Sequence, residues 1–307
     1  MSMASEFGEV GVLMGGWSVE REVSLTSGTM VCAGLREAGI DAHTLDVGRD
    51  IAKVLPTHKF DRVFNILHGK GGEDGVMQGL LDVLQIPCTG SGVTASAVAM
   101  NKLLTKQIWQ SYDLPMAAHR LIDENHALQE IVDELGLPLI LKPVSEGSSV
   151  GVSKIHTLDE LEAAVAEHQH LGELMAEAFV DGEEYTIAIL AGEALPVIRL
   201  ETDNVFYDYE AKYLTDDTSY HIPCGLSDAD EQHIQSLALQ AFTVLGASGW
   251  GRVDLMKDRA GKNYLIELNT QPGMTDHSLV PKAAAAVGMS YPELVSKILA
   301  TSIRREC

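Results

Sequence analysis

Two stretches near the end of the sequence, Trp250-Gly-Arg-Val-Asp-Leu-Met256 and Asn263-Tyr-Leu-Ile-Glu267-Leu-Asn269, predict a pair of strands joined as a hairpin. Alternation along a strand places Arg252 and Asp254 on one face, and Glu267 and Asn269 on one face of the next strand. A solvated hairpin face would explain these charges but not the apolar residues beside them. Because carboxylates in buried strands are costly without a cation, and because Mg²⁺ prefers oxygen ligands, the hairpin predicts a metal site.

A glycine- and serine-rich loop, Gly147-Ser-Ser-Val-Gly151, follows a predicted strand at residues 139–142. Its backbone N–H groups and hydroxyls suit a loop that covers phosphates, although a plain turn explains the loop equally well on its own. The sequence contains neither the G-x-x-x-x-G-K-[ST] motif of P-loop enzymes nor the G-x-G-x-x-G motif of dinucleotide-binding oxidoreductases. The sequence therefore argues against a P-loop enzyme and against a dinucleotide-binding oxidoreductase.

Further candidate residues lie at strand ends and in turns. His68 follows a predicted strand at residues 62–67, where α/β sheets bind their ligands, and it either contacts substrate or caps the turn. Gly273 lies in a polar turn directly after Asn269, where its N–H is placed to meet an oxyanion, although a simple turn is the alternative. Lys102 and Lys142, taken alone, are typical of surface lysines.

Alternating strands and helices predict a doubly wound, mostly parallel sheet in the first 95 residues. Its predicted elements are strands at 10–14, 62–67 and 86–89, and a helix at 24–37. The texture then changes to α+β, starting with a helix at 94–112. Later come a helix at 158–167, strands near 174–177 and 185–190, a helix at 229–245 and closing helices. The aromatic stretch 206–222 has little periodicity, and such long loops often cover active sites.

Composition excludes several classes of protein. The 307 residues include 44 acidic and 22 basic side chains, so the net charge of −22 argues against nucleic acid or an anionic membrane as the main partner. No apolar run is long enough to span a membrane, and the first residues lack a signal-peptide pattern. The four cysteines form no C-x-x-C pair, which favours reduced thiols and a cytoplasmic location.

Ordered motifs along nearly the whole chain resemble the D-alanine–D-alanine ligase family of the ATP-grasp superfamily. The matching pieces are Gly15-Gly-Trp-Ser-Val-Glu20-Arg-Glu-Val-Ser24, His68-Gly-Lys-Gly-Gly-Glu-Asp-Gly75, Thr89-Gly-Ser-Gly-Val93, Asn101-Lys102, Lys142-Pro-Val-Ser-Glu-Gly-Ser148-Ser-Val-Gly151, Phe206-Tyr-Asp-Tyr-Glu-Ala-Lys212-Tyr213, Gly251-Arg-Val-Asp254 and Glu267-Leu-Asn-Thr-Gln-Pro-Gly273-Met-Thr-Asp-His-Ser278-Leu279. So many motifs in one order make chance similarity an inadequate explanation.

The resemblance implies an α/β fold with an N-terminal doubly wound parallel-sheet domain and two α+β ATP-grasp subdomains. The expected limits are 1–95, 96–182 and 183–307. It also implies that ATP phosphorylates one D-alanine and that the amine of a second D-alanine attacks the acyl phosphate, which yields a dipeptide for peptidoglycan synthesis. Two Mg²⁺ or Mn²⁺ ions, a possible monovalent cation and a homodimer belong to the same expectation.

The resemblance also assigns residue roles. It implies that Glu20 and His68 hold the first substrate, and that Ser148 and Tyr213 join Glu20 in closing the site. The remaining assignments are phosphate contacts at Lys102, Lys142 and Lys212; nucleotide contacts at Glu177, Phe179 and Glu184; metal ligands at Asp254, Glu267 and Asn269; stabilisation of the tetrahedral intermediate by Arg252 and Gly273; and binding of the second alanine by Ser278 and Leu279.

Three alternatives and one departure accompany these expectations. Family members that form D-alanyl-D-lactate or D-alanyl-D-serine are the nearest alternative, and the pair Lys212-Tyr213 favours the dipeptide-forming type. The presence of Glu20 and His68 argues against a glutathione-type synthetase. A non-catalytic ATP-binding regulator should lack at least one of the hairpin residues, and this sequence has all four: Arg252, Asp254, Glu267 and Asn269. Where the family often has Glu-Lys-aromatic, this sequence has Glu177-Ala-Phe179, so we expect ATP use with altered affinity.

Overall fold

A computed structural model describes residues 6–123, 127–202 and 218–302. Within these ranges the strands form one parallel sheet and two antiparallel sheets. The predicted α/β class, with a parallel N-terminal sheet followed by two α+β regions, is confirmed. The described cysteines, Cys32, Cys88 and Cys224, carry free thiols.

The first sheet has the strand order β2-β1-β3. Its strands are β1 (Val10–Gly15), β2 (Ala42–Val47) and β3 (Arg62–Asn65), and helix α1 (Arg21–Glu37) connects the first two. Parallel neighbours need such a crossover because a tight turn cannot join them. The predicted strand at 86–89 is reduced to one isolated bridge between Cys88 and Val63, since the chain turns away after a single parallel contact. Helices α2 (Ile51–Val54) and α3 (Val76–Val83) complete this region.

The single helix predicted at 94–112 is wrong in one respect, because the structure has two helices there. They are α4 (Val93–Met100) and α5 (Lys102–Ser111). Between them Asn101 adopts an extended backbone, with φ of −96° and ψ of 101°, and its side chain accepts a hydrogen bond from the Leu104 N–H. Asn101 is thus the N-cap of α5, a position that this residue type favours.

The second sheet has the order β4-β7-β5-β6 and is antiparallel. Its strands are β4 (His119–Leu121), β5 (Leu139–Pro143), β6 (Ser153–Ile155) and β7 (Leu174–Ala178). Helices α6 (Leu128–Leu135) and α7 (Leu158–His168) supply Ile131 and Leu161 to its core. The loop between β5 and β6 carries the glycine- and serine-rich motif.

The third sheet runs β11-β10-β8-β12-β13, and β9 pairs with β8. Its strands are β8 (Gly182–Leu190), β9 (Glu193–Ala194), β10 (Ile198–Thr202), β11 (Thr218–His221), β12 (Trp250–Asp258) and β13 (Asn263–Asn269). Residues 218–221 were expected within an irregular cover at 206–222, and they form a strand because they pair with β10. Residues 206–217 of that predicted cover lie outside the described residues.

Three helices close the fold: α8 (Asp228–Val244), α9 (Leu279–Ala286) and α10 (Tyr291–Ala300). Helix α5 packs on α8, and Trp109 donates its indole N–H to the Ala241 carbonyl at 3.0 Å. Helix α10 packs on α1, so the end of the chain supports the first sheet. The contact of α5 with α8 crosses the expected domain boundary at 182, and the contact of α1 with α10 crosses the boundaries at 95 and 182. The domain limits therefore stay predictions. Among the helices in the three described ranges, none is long and apolar enough to cross a bilayer.

Candidate active site

The hairpin predicted from the sequence is confirmed, and its register brings the four polar residues together. Across β12 and β13, Arg252 pairs with Asn269 and Asp254 pairs with Glu267. The Arg252 guanidinium donates to both Asp254 oxygens, from Nε at 2.9 Å and from Nη2 at 2.7 Å. Thr186 on β8 donates its hydroxyl to Asp254 at 2.5 Å, and the Asn269 amide donates at 3.0 Å. These hydrogen bonds hold Asp254 in one orientation. They also satisfy its carboxylate, which is buried, since the residue is only 4% exposed.

Each hairpin carboxylate faces a cation supplied by the chain. Arg252 neutralises Asp254, and the Lys102 ammonium lies 3.6 Å from a Glu267 oxygen. These contacts show that the local field favours positive charge, and the donors beside it are carboxylate and amide oxygens of the kind that Mg²⁺ prefers. No group of three or more His, Cys, Asp or Glu side chains suited to a metal occurs in the described parts of the chain. The carboxylate and amide oxygens of the hairpin fit the ligands of a Mg²⁺ ion, which proteins usually hold with few carboxylates together with substrate phosphates.

A cleft of about 470 Å³ lies between the second and third sheets. It brings together five of the residues to which nucleotide or phosphate contacts were assigned, with two of the expected metal ligands: Lys102, Lys142, Glu177, Phe179, Glu184, Asp254 and Glu267. Strand β7 and the residues after it form one wall, and the hairpin forms the opposite wall. A wider groove of about 1170 Å³ opens beside it and shares the segment 178–181. We assign the chemistry to the smaller cleft because the charged residues converge there.

The cleft wall formed by β7 contains an ion-pair cluster that the sequence did not reveal. Glu177, which is 7% exposed, forms ion pairs with the ammonium groups of Lys106 and Lys142. Burial alone would raise the pKa of Glu177, but the two ammonium groups outweigh it and hold this pKa at about 2. Lys106 was missed, although one signal was available: it occupies the apolar face of α5 beside Thr105 and Trp109.

The other two nucleotide candidates border the same wall. The Lys154 ammonium lies over the Phe179 ring, 3.7 Å from its centroid, at the place where the family's Glu-Lys-aromatic pattern is altered. Glu184 lies on β8, opposite Leu200 of β10 and Met256 of β12, and its side chain borders the cleft.

The glycine- and serine-rich loop reaches across to the first sheet. Ser148 donates its hydroxyl to the carboxylate of Glu20, a residue that directly precedes α1. Ser148 and Ser149 both have a positive φ, 48° and 58°, which is unusual for two consecutive residues with side chains. A side chain at Gly147 would come within 3.1 Å of Glu20, so glycine permits the close approach. The structure thus brings Ser148 and Glu20 together, while their role in closing the site stays a prediction.

His68 lies at the same junction, and its two ring nitrogens differ in their contacts with the described residues. Its Nδ1 bonds to the Gln271 carbonyl at 2.9 Å, which assigns the proton to Nδ1 and leaves Nε2 as an acceptor. Nε2 is buried and has no hydrogen-bond partner among the described residues. Burial lowers the pKa of His68, while the nearby Glu20 carboxylate opposes this shift. His68 is therefore a neutral acceptor beside Glu20.

A second carboxyl beside Glu20 was also missed. Glu73 accepts a hydrogen bond from the Gly69 N–H at 2.8 Å. Burial, and then the neighbouring Glu20 charge, raise the pKa of Glu73 to about 8. Glu73 therefore carries a proton at neutral pH. Its position within the motif Gly72-Glu-Asp-Gly75 was the available signal.

The last group of predicted residues follows β13. Gly273 is buried in the turn, and Ser278 is the N-cap residue of α9. The Ser278 hydroxyl accepts a hydrogen bond from the Thr275 N–H at 2.9 Å. Leu279 packs its side chain into the core, so only its backbone at the start of α9 is suited to a ligand contact. Lys212 and Tyr213 lie outside the described residues, and their roles stay predictions.

Comparison with known proteins agrees with this geometry. Residues 108–300 match the family described as D-ala D-ala ligase C-terminus, and residues 49–91 match D-ala D-ala ligase N-terminus. The chain is 52% identical over 303 residues to the D-alanine–D-alanine ligase of Methylococcus capsulatus, with 98% of each protein covered. It is 52% identical over 299 residues to D-alanine–D-alanine ligase B of Pseudomonas syringae, covering 97% of this chain and 94% of that protein.

Solved structures show the same fold. A Bacillus anthracis D-alanine–D-alanine ligase complexed with ATP aligns with a TM-score of 0.85 at 30% identity, covering 97% of this chain and 98% of that one. The VanG D-Ala:D-Ser ligase of Enterococcus faecalis aligns with a TM-score of 0.84 at 27% identity, covering 96% and 99%. The sequence, the sheets and the cleft together show that this chain belongs to the D-alanine–D-alanine ligase family.

Proposed function

We propose that this protein joins two D-alanine molecules to D-alanyl-D-alanine with consumption of ATP, for peptidoglycan precursor synthesis. The observation that carries the proposal is that three separate parts of the chain are linked around the cleft. Asp254 of the hairpin lines the cleft and is bonded to Arg252. The loop after β5 lines the cleft with Gly147 and Ser149, and Ser148 between them bonds to Glu20 at the start of α1. A chain 52% identical to named D-alanine–D-alanine ligases thus has the charged groups that such a reaction needs.

Nucleotide binding is assigned to the cleft between the second and third sheets. Lys102 and Lys142 are placed to contact phosphates, together with Lys212. Glu177, Phe179 and Glu184 are assigned to the base and the ribose. The ATP complex of the Bacillus anthracis relative supports ATP as the nucleotide.

Asp254, Glu267 and Asn269 are the residues that would hold Mg²⁺ or Mn²⁺, and we propose two ions. Bound there, a divalent cation neutralises the charge that develops on a transferring phosphoryl group. The Asp254 oxygens accept hydrogen bonds from Thr186, from Asn269 and twice from Arg252, so a metal bound there would take the place of at least one of these donors. Arg252 is assigned to the tetrahedral intermediate, together with the Gly273 N–H. A monovalent cation is a further possibility that the family resemblance raises.

The first D-alanine is assigned to the junction of Glu20 and His68. The Glu20 carboxylate accepts hydrogen bonds from the substrate ammonium, and Nε2 of His68 adds an acceptor in a buried place. Phosphorylation of this substrate's carboxylate forms an acyl phosphate. The neutral amine of the second D-alanine, assigned to Ser278 and Leu279, attacks the carbonyl carbon; phosphate leaves and the amine loses a proton.

Exclusion of water is the task of the loops, because acyl phosphates hydrolyse readily. The Ser148 hydroxyl already ties the loop after β5 to Glu20. Tyr213 is proposed as the third member of this link, and the part of the expected cover that precedes β11, residues 206–217, as the remaining cover.

The oligomeric state, the domain limits and the cellular location are part of the same proposal. We propose a homodimer, domains with limits near 95 and 182, and a cytoplasmic location, where ATP is available. A D-serine or D-lactate acceptor is the second candidate, and the fold match to a D-Ala:D-Ser ligase is an observation that favours D-serine.

One competition experiment tests reaction and acceptor together. The purified protein receives ATP, Mg²⁺ and equal amounts of D-alanine, D-lactate and D-serine, and products are separated by mass. We expect ADP, phosphate and D-alanyl-D-alanine as the main product. Release of phosphate that does not depend on D-alanine would contradict the proposed reaction, and a dominant D-alanyl-D-serine product would replace the proposed acceptor.

A further inference from the structure

Lys106 is a buried lysine to which no role was assigned. It lies on α5, its exposed fraction is 0%, and its neighbours on the same helix face include Thr105 and Trp109. Lysines are almost never fully buried unless they are paired. Lys102, one helical turn earlier, points to the hairpin carboxylate Glu267, so α5 supplies one ammonium to each wall of the cleft.

The partner of Lys106 is Glu177 on β7. Glu177 uses its two oxygens separately: Oε1 bonds the Lys106 ammonium, and Oε2 bonds the Lys142 ammonium. The two lysines differ in access, because Lys142 borders the cleft whereas Lys106 lies behind Glu177 without solvent contact. Lys106 is therefore unable to touch a ligand in the cleft and acts only through Glu177.

This difference becomes important when a nucleotide binds. In the proposed function, on which this step rests, Lys142 turns toward the phosphates and Glu177 faces the base. Glu177 then loses one of its two counter-charges at the moment of recognition. Lys106, which is fixed in the core, is the cation that remains.

We propose that Lys106 is a positioning residue for nucleotide selection, which keeps Glu177 ionised and oriented toward the base when Lys142 engages phosphate. An ionised carboxylate only accepts hydrogen bonds. It therefore favours a base with an amino group at the contact, such as the 6-amino group of adenine, and disfavours a 6-oxo base at the same place. Lys106 thus sets base specificity without touching the base.

The other groups around Glu177 do not replace Lys106. On β4, His119 is the register partner of Glu177, but burial lowers the pKa of His119 and the nearby Lys106 charge lowers it further. On β5, Ile140 is the register partner and carries no charge. Burial also lowers the pKa of Lys106, and the charge of Glu177 opposes this, so each member of the pair supports the charge of the other.

The test measures equilibrium binding of ATP and ITP with Mg²⁺, without D-alanine, at several pH values between 6 and 9. ITP differs from ATP by a 6-oxo group in place of the 6-amino group. The variants are Lys106→Met, Glu177→Gln and the double variant, with Lys106→Gln as a smaller change should the methionine variant fail to fold. Because binding is measured without the amino acid, the result is independent of whether the proposed ligase reaction is correct.

We expect Lys106→Met to weaken ATP binding at neutral pH by about tenfold or more, since a hydrogen bond to a charged group is lost, and to leave ITP binding unchanged or stronger. The weakening should diminish as pH rises, because Glu177 without Lys106 has a higher pKa and regains its charge only in more alkaline solution. In the Glu177→Gln background, the lysine change should have no further effect on ATP binding.

Three results would overturn the proposal. They are an ATP-to-ITP preference that Lys106→Met does not change, a loss of ATP binding that is the same at every pH, and an equal loss in the Glu177→Gln background. Each of these results is expected if Lys106 only stabilises the fold. Lys106→Gln is judged by the same three criteria.

Discussion

At the scale of one residue, a substitution of Glu267 tests its assignment as a metal ligand. Replacing Glu267 by glutamine keeps the side chain's size but removes the charge that a divalent cation requires. We expect Glu267→Gln to lower kcat/KM by about a hundredfold or more, because charge stabilisation at the transferring phosphoryl group is lost. The measurement is ADP release at increasing Mg²⁺ concentration.

Glu162→Gln is the matched control for this change. Glu162 lies on an exposed face of α7, and its substitution removes the same charge far from the hairpin. Activity of the control should equal that of the unmodified protein. Full activity of Glu267→Gln would show that the ligand assignment is wrong.

Glu73 predicts a dependence of stability on pH. Its pKa is raised to about 8 in the folded protein, above the ordinary carboxyl value of about 4.3 in the unfolded chain. Between these two values the unfolded chain binds fewer protons at this group, so the contribution of Glu73 to the free energy of unfolding falls as pH rises. Glu73→Gln removes this dependence and keeps a carbonyl acceptor for the Gly69 N–H.

The measurement is the Tm of both proteins at pH 5 and pH 8.5 without ligands. We expect the Tm of the unmodified protein, relative to that of Glu73→Gln, to be lower at the higher pH. A Tm difference that is the same at both pH values would show that Glu73 is ionised throughout.

At the scale of elements, the contact between α1 and α10 joins the first sheet to the end of the chain. A side chain at Gly34 in α1 would come within 2.9 Å of the Tyr291 ring and 3.1 Å of Val295, both on α10. Gly34→Ala should therefore lower the free energy of unfolding by about 1–3 kcal/mol, as overpacking does. Urea unfolding measures this change.

Gly79→Ala is the control within another helix. At Gly79 in α3 an added Cβ meets only Val93, at 3.8 Å, which is an ordinary contact. Alanine is the better helix former by about 0.5–1 kcal/mol, so this variant should be more stable. Equal effects of the two substitutions would contradict the tight packing of α10 on α1.

At the scale of the whole molecule, a net charge of −22 has to accommodate a polyanionic nucleotide. The segment 96–182 has only five basic residues, and three of them, Lys102, Lys106 and Lys142, lie at or behind the cleft. Lys106 and Lys142 are paired with Glu177, which leaves little positive charge for phosphates. We therefore expect divalent metal to supply much of the neutralisation.

Removal of the metal should weaken ATP binding by about tenfold or more, which corresponds to about 1.4 kcal/mol. Equilibrium binding in Mg²⁺ and in excess chelator measures this loss. Adenosine is the control, because it lacks phosphates and its affinity should not change. An equal loss for both ligands, or none for ATP, would contradict the role of the metal.

Local patterns were sufficient for much of the fold. The hairpin register of Asp254 with Glu267 follows from alternation along two strands, and the structure confirms it. The break at Asn101 was missed because the apolar pattern continues through it, whereas the cap depends on one side-chain hydrogen bond. Strand β11 was missed because its pairing with β10 is a contact between separate segments.

The sequence by itself determined the α/β class, the hairpin with its charged residues and the resemblance to the ligase family, because these depend on residue type, period and order along the chain. Tertiary structure alone decided that Lys106 pairs with Glu177, that Ser148 reaches Glu20 and that the pKa of Glu73 is raised. These properties depend on burial and on the distance between charges brought together from remote positions. Neither quantity exists until the sheets have packed against each other.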